Sequence, residues 1–337
     1  MSPDEIEILK TDSREEAGTS SDTLTLKVAM GDYDRIRPLI DRRVRAEGLN
    51  LDITTDDIRE FCVGPVYETF DVAEMSMSWY VAARARGEPC IALPIFPLRM
   101  AVLGYIYCHA DAPYSHPSEL KGKRIGSPAF RYTVNLWLRG MLAEHYDLAP
   151  EEMSWVTNEA EINGYAVPSN IDCSVVPGTG PGQLLIDGEI DAIMSPEPPP
   201  EFAAGDPRIR RLFADARTEQ VTYFKKTGIY PITHLVVMHE KMVRDQPWVA
   251  ERLVGAFRDA QRLTTAYYNE IPKRLALPGA AFIVEEERRD YGPEPWSHGV
   301  AGNEANIETF VRYAKEQGYI DEIIPLDKFF APTTLDV

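Results

Sequence analysis

Three arginines stand beside segments where an apolar strand gives way to a helix, and such places can grip a small organic anion. Arg35 follows Gly31-Asp32-Tyr33, Arg131 follows Ser127-Pro128-Ala129, and Arg99 stands alone between Pro97-Leu98 and the apolar run AVLGYIYC. A guanidinium offers a rigid fork of N–H donors that matches a carboxylate. Arg99 carries the sharpest signal, because its apolar, proline-flanked surroundings would make an unpartnered charge expensive to bury. For each arginine, pairing with a surface acid or lying along apolar surface is the alternative use.

Four junctions share the chemistry of an open helix start: Gly31-Asp32-Tyr33, Glu74-Met75-Ser76, Ser127-Pro128-Ala129 and Gly178-Thr179-Gly180-Pro181-Gly182. Unpaired N–H groups and a positive dipole end suit a carboxylate there. Ordinary capping explains any one of them, so convergence is the informative point. The expected contacts are therefore Asp32, Arg35, Glu74, Ser76, Ser78, Arg99, Ser127, Arg131, Gly178, Thr179 and Gly180. Ser76 and Ser78 would cap a helix and donate to ligand oxygens, while Asp32, Asp34 and Glu74 would pair with Arg35 or take a phenolic proton.

Proton transfer near neutral pH points to histidine. His298, in the Trp/Gly loop EPWSHGVAGNEAN, is the first candidate and His234, in YPITHLVV, the second. Neither these nor His109, His116, His145 and His239 have metal-ligand spacing. Cys62, Cys90, Cys108 and Cys173 form no C-x-x-C pair and are expected to be free thiols. No Gly-x-Ser-x-Gly elbow, G-x-G-x-x-G fingerprint or Walker lysine motif occurs, which argues against a serine hydrolase and a nucleotide enzyme.

The elements that must position these groups alternate strand and helix, so an α/β fold with mostly parallel sheets is expected. TLTLKVAM, LNLDI and FDVAEM read as strands, as do CIALPIFPL and AVLGYIYC; KRIGS opens a second series after the polar, proline-bearing stretch near residue 113. The predicted organisation is an arm over residues 1–22, one lobe from 23–113 and 231–337, and a second lobe from 114–230, with the ligand in a cleft between them. The 337 residues carry 53 acidic against 35 basic side chains, a formal charge of -18 that disfavours nucleic acid and anionic membranes as partners. No apolar run is long enough to span a bilayer and the start lacks a secretory pattern, so a cytoplasmic protein is expected. A homodimer is expected only from how common such assemblies are.

The segments GDYDRIRPL, FDVAEMSMSWYVAARARG, PIFPLR, LKGKRIGSPAFRYTVNLWLRG, LLIDGEIDAIMSP, GIYPITHLVVM and FVRYAKEQG followed by FFAP resemble, in this order from Val28 to Pro332, the 4,5-dihydroxyphthalate decarboxylases. That family's fold is similar to the type 2 periplasmic solute-binding proteins. The resemblance implies a two-lobed cleft enzyme that removes one carboxylate from an aromatic dicarboxylate without an organic cofactor. It also implies substrate contact at Arg35, Ser76, Arg99, Arg131 and His298. Two departures stand out: Met100-Ala101-Val102-Leu103-Gly104 lacks an Arg-His pair usual in the family, and Arg131 stands where Gln is usual. From their placement at the expected cleft loops, the mechanism these residues could support has Arg99 and Arg131 orienting carboxylates, Ser76 and the Gly178 loop holding oxygens, and His298 or His234 protonating the ring carbon. A carboxylate-binding protein without chemistry, and a decarboxylase for another hydroxyaromatic acid, are the competing readings.

Overall fold

The computed structural model describes residues 23–56, 64–162, 164–270 and 275–337. The arm over residues 1–22 and Cys62 lie outside them. Two sheets dominate. The first has the order β2-β1-β3-β11-β4, built from β1 (Leu24–Met30), β2 (Leu49–Thr55), β3 (Val72–Ser76), β4 (Cys90–Arg99) and β11 (Ile232–His239). The second has the order β10-β5-β9-β6-β7-β8, from β5 (Ile106–His109), β6 (Arg124–Ser127), β7 (Ser154–Thr157), β8 (Cys173–Val175), β9 (Ala192–Met194) and β10 (Ile209–Arg211).

The predicted alternation is present, but the sheets are mixed. β1 pairs in parallel with β2 and β3, whereas β11 runs antiparallel to both β3 and β4. In the second sheet β5 is antiparallel to β9 and β10. β5 therefore belongs to the second lobe, and the boundary drawn at residue 113 moves back to the short turn over Val102–Tyr105. An apolar strand looks the same in either sheet, so its pattern held no information about its partner. The chain leaves the first sheet at Arg99 and returns just before Ile232, and the two crossings are tied together by the Met100 N–H donating to the Pro231 carbonyl at 3.0 Å.

The helices that matter for the site are α1 (Met77–Ala85), α2 (Thr133–Tyr146), α3 (Pro181–Ile186), α4 (Ala216–Thr227), α5 (Pro247–Glu270), α6 (Ala280–Tyr291) and α7 (Glu304–Glu316). The apolar stripe of α5, including Val249, Leu253 and Phe257, is buried under the first sheet, the amphipathic packing its sequence predicts. A second apolar cluster runs through both lobes and contains Trp79, Phe96, Phe130, Trp137 and Phe310. Within it α7 lies close against α2, with Trp137 5.3 Å from Phe310 and 5.8 Å from Tyr313 between ring centroids. Gly140 permits this approach, since a Cβ there would lie 2.3 Å from the Tyr313 ring. The lobes are thus joined by packed apolar surface. Cys90 and Cys108 are buried free thiols and Cys173 is a partly exposed one.

Candidate active site

A cavity of about 620 Å³ opens where the two crossings meet the ends of the sheets. The first lobe and the crossings contribute Ser76, Trp79, Leu98, Arg99, Met100, Ala101, Thr233 and His234. Tyr105, Pro128, Tyr132, Thr133, Glu159, Glu197 and Tyr230 complete most of the opposite wall. Two helix starts face this space, since Ser76 directly precedes α1 and Tyr132 directly precedes α2. Two of the four junctions singled out by sequence therefore converge.

Arg99, the last residue of β4, is 4% exposed. Its Nη1 donates to the Tyr230 carbonyl at 3.3 Å, and its Nη2 donates to the Ser297 carbonyl at 2.8 Å and to Asn303 Oδ1 at 2.5 Å. Nε has no partner. All three acceptors are neutral, so burial without a counter-charge pulls the guanidinium down to about 9. It is still a cation at pH 7, and a ligand carboxylate would supply the missing negative charge.

His234 and Glu74 form the second chemical feature. β11 pairs His234 with Ser76 of β3, which sets the imidazole beside the end of that strand. His234 Nδ1 lies 2.6 Å from Glu74 Oε1. Glu74 is fully buried, and also accepts from Tyr33 Oη at 2.9 Å and from the Gly31 N–H at 3.0 Å. Tyr33, Gly31 and His234 thus converge on one buried carboxyl group. With Nδ1 engaged by Glu74, Nε2 is the remaining imidazole nitrogen of a residue that lines the cavity. Gly31 is required here: a Cβ would lie 2.6 Å from the Tyr33 ring, which folds back over it to reach Glu74.

A hydroxyl cluster closes the seam between lobes. Thr133 Oγ1 accepts from the Ser78 N–H at 2.9 Å and hydrogen-bonds Ser78 Oγ at 3.0 Å and Ser76 Oγ at 2.7 Å. Ser76 lines the cavity beside Thr133. Ser78 is 1% exposed and sits one layer below the cavity wall.

Several expected contacts lie elsewhere. Arg131 is buried but neutralised: its Nη2 donates to Glu159 at 2.8 Å, its Nη1 donates to the Ala160 carbonyl at 3.2 Å, and Glu161 stands 3.8 Å away. Arg35 is stacked between Tyr33 and Trp296 at 4.0 and 4.4 Å and donates to the Pro97 carbonyl, so it braces β4 from the outer side. It borders a separate outer cavity of about 390 Å³. Asp32 is exposed and paired with Arg37. Ser127 is fully buried and bonded to Ala129 and Asn135. Gly178, Thr179 and Gly180 border the short helix α3 away from the cavity, with the Thr179 carbonyl held by Asn158. His298 also leaves the site. Its Nδ1 accepts the Phe96 N–H at 3.1 Å, and burial pushes the imidazole down to about 3, so it is neutral; it lines a separate cavity with Arg258 and Trp296.

Sequence reasoning missed Trp79, Tyr105, Tyr132, Thr133 and Tyr230, whose aromatic or small polar character reads as core or cap. Burial raises Tyr105 and Tyr230 above the usual phenol value, so both remain hydrogen-bond donors in the working pH range. Among the described residues no three His, Cys, Asp or Glu side chains are arranged to hold a metal ion.

Two relatives match this chain along most of its length or theirs. The 4,5-dihydroxyphthalate decarboxylase of Comamonas testosteroni is 29% identical over 328 residues, covering 93% of this chain and 98% of that protein. The enzyme of the same name from Pseudomonas putida is 33% identical over 201 residues, covering 57% of this chain and 78% of the relative. The chain belongs to the 4,5-dihydroxyphthalate decarboxylase family. With that family it is a carboxy-lyase, and the cavity is its candidate active site. No family model matches. Among solved structures, the periplasmic aliphatic sulphonate binding protein SsuA from Escherichia coli superposes with a TM-score of 0.54 at 12% identity, covering 93% of this chain and 99% of that one. DSZB in complex with biphenyl-2-sulfinic acid gives 0.53 at 18% identity, covering 93% and 98%. These likenesses identify the fold as the type 2 periplasmic-binding-protein kind, here in a decarboxylase family.

Proposed function

We propose that the inter-lobe cavity converts 4,5-dihydroxyphthalate to 3,4-dihydroxybenzoate and carbon dioxide, without an organic cofactor. The observation that carries this reading is the meeting, on one cavity wall, of a buried cation lacking a carboxylate partner and a histidine backed by a buried glutamate. Arg99 binds the carboxylate that stays and fixes the ring. The hydroxyl para to the departing carboxylate pushes electron density toward the carbon that bears it. His234 Nε2 delivers a proton to that carbon, giving a dienone-like intermediate. The C–C bond then breaks, its electron pair restores the aromatic ring, and carbon dioxide leaves. One proton is consumed per turnover and His234 recovers it from solvent, while Glu74 holds the imidazole in register.

The walls support an aromatic ligand, since Trp79, Tyr105, Tyr132 and Tyr230 line the cavity. The test is carbon dioxide release from 4,5-dihydroxyphthalate and from a panel of hydroxybenzoates. Release from a hydroxybenzoate with none from the phthalate would replace the substrate and keep the chemistry; binding without release from any would remove both. A cytoplasmic location, read by cell fractionation, and a homodimer, read by sedimentation, belong to the same proposal. The exposed side chains Leu277, Phe282 and Ile283 support the second.

A further inference from the structure

The loop Pro295-Trp296-Ser297-His298-Gly299-Val300 was selected by sequence for its histidine, but it reaches Arg99 on the cavity wall through the Ser297 carbonyl and through Asn303. That residue is 1% exposed and occupies the N-cap of α7, a position where asparagine commonly accepts from its own helix. It makes no such bond. Its Nδ2 donates instead to the Gly299 carbonyl at 2.9 Å, the Ser297 carbonyl at 3.3 Å and Ser297 Oγ at 3.4 Å, and its Oδ1 accepts from Arg99 Nη2 at 2.5 Å. The helix start therefore goes without its side-chain cap so that the loop and the guanidinium are joined.

We infer that Asn303 is the positioning residue for Arg99, holding the guanidinium against the cavity wall with a neutral acceptor so that its charge is left for the ligand's carboxylate. The inference rests on the proposed role of Arg99 as carboxylate anchor. A guanidinium has five N–H groups. Three are committed to Tyr230, Ser297 and Asn303, which leaves Nε and one Nη1 proton. The clamp thus restricts the rotamers of a long side chain without cancelling its charge. An aspartate would hold Arg99 equally well, but it would pair with the cation and lose the three donations that shape the loop. Only an amide meets both demands.

The experiment compares the dissociation constants of 3,4-dihydroxybenzoate and catechol, which differ by one carboxylate, by calorimetric titration at pH 7. In the full-length wild-type protein the carboxylate-bearing ligand is expected to bind more tightly. Asn303→Asp is expected to weaken 3,4-dihydroxybenzoate by about 10- to 100-fold and to change catechol by less than about 3-fold, as local ion pairing replaces the ligand's charge. Asn303→Ser, which frees Arg99 without adding charge, is expected to lower the same preference by about 3- to 10-fold and serves if the aspartate variant does not fold. Arg99→Met is the control and should abolish the preference. A wild-type preference in both Asn303 variants, with its loss in Arg99→Met, would overturn the inference and leave the anchor standing. Retention in Arg99→Met as well would remove the anchor itself. A residue serving only as a helix cap would lower the melting temperature without changing the ratio of the two affinities.

Discussion

Replacing Arg99 by methionine separates a side chain kept for binding from one kept for folding. The guanidinium is fully buried and displaced from 12.5 to about 9, a difference of 3.5, which at 1.36 kcal/mol each corresponds to about 5 kcal/mol for keeping it charged in the free protein. Methionine fills much of the same volume and removes that penalty. Against the gain stand the Tyr230 and Ser297 carbonyls and Asn303 Oδ1, each of which loses a donor at about 1–3 kcal/mol if it stays dry. The terms are of similar size, so the ligand-free variant should lie between about 2 kcal/mol more and about 4 kcal/mol less stable than wild type. Binding has no such compensation, because a ligand carboxylate would enter a dry wall with no cation. A loss of about 2–5 kcal/mol, roughly 30- to 5,000-fold in affinity, is expected.

The assay is calorimetric unfolding with and without 3,4-dihydroxybenzoate. At 100 times the wild-type dissociation constant, ligand stabilises the wild type by about 2.7 kcal/mol, and a variant weakened 100-fold by only about 0.4 kcal/mol. An Arg99→Met protein that loses more than about 4 kcal/mol without ligand yet keeps the full ligand-induced stabilisation would make Arg99 a structural strut. The binding role would then be wrong.

The other expectations concern protonation. His234→Asn should lower the rate of carbon dioxide release by about 10²- to 10⁴-fold, with KM changed by less than about 10-fold; equal losses in binding and turnover would make His234 a contact and not the proton donor. Because the protonated form of Arg99 is the one that attracts a carboxylate, affinity for 3,4-dihydroxybenzoate should be flat below about pH 9 and fall above it, while catechol affinity shows no such step at Arg99. An affinity for the acid that stays level to pH 10.5 would contradict this. His298 is neutral in the folded protein down to about pH 3, against an ordinary value of 6.5, so its contribution is complete above pH 6.5 and is lost as pH falls toward 3. The difference of 3.5 corresponds to at most about 5 kcal/mol, and His298→Asn should flatten that acid limb in urea titrations while turnover at pH 7.5 stays within about 5-fold of wild type. A steep loss of turnover would bring His298 back into the chemistry.

The contrast between Arg99 and Arg131 explains what a sequence can reveal of such a site. Both are arginines near apolar, proline-bearing turns, and both are buried. Arg99 was recognisable because an isolated charge at the end of an apolar strand needs a reason to be there, and that argument uses only its neighbours in sequence. Whether the charge remains available depends on side chains far along the chain. Arg131 is cancelled by Glu159 and Glu161, 28 and 30 residues later, whereas Arg99 meets a carbonyl from residue 297 and an amide from residue 303. The same limit applies to the histidines. His234 was legible as a strand residue near the lobe crossing, but its glutamate lies 160 positions earlier and becomes a neighbour only because β11 pairs with β3 in antiparallel register. His298, in the more suggestive loop, is turned inward by the Phe96 N–H, a donor that no local motif encodes. Residue chemistry and element type are local and can be read early. Charge balance and facing direction are set by sheet pairing and by loops meeting far along the chain, so the fold class and the buried place of Arg99 on the cavity wall were within reach while the companions of that arginine were not.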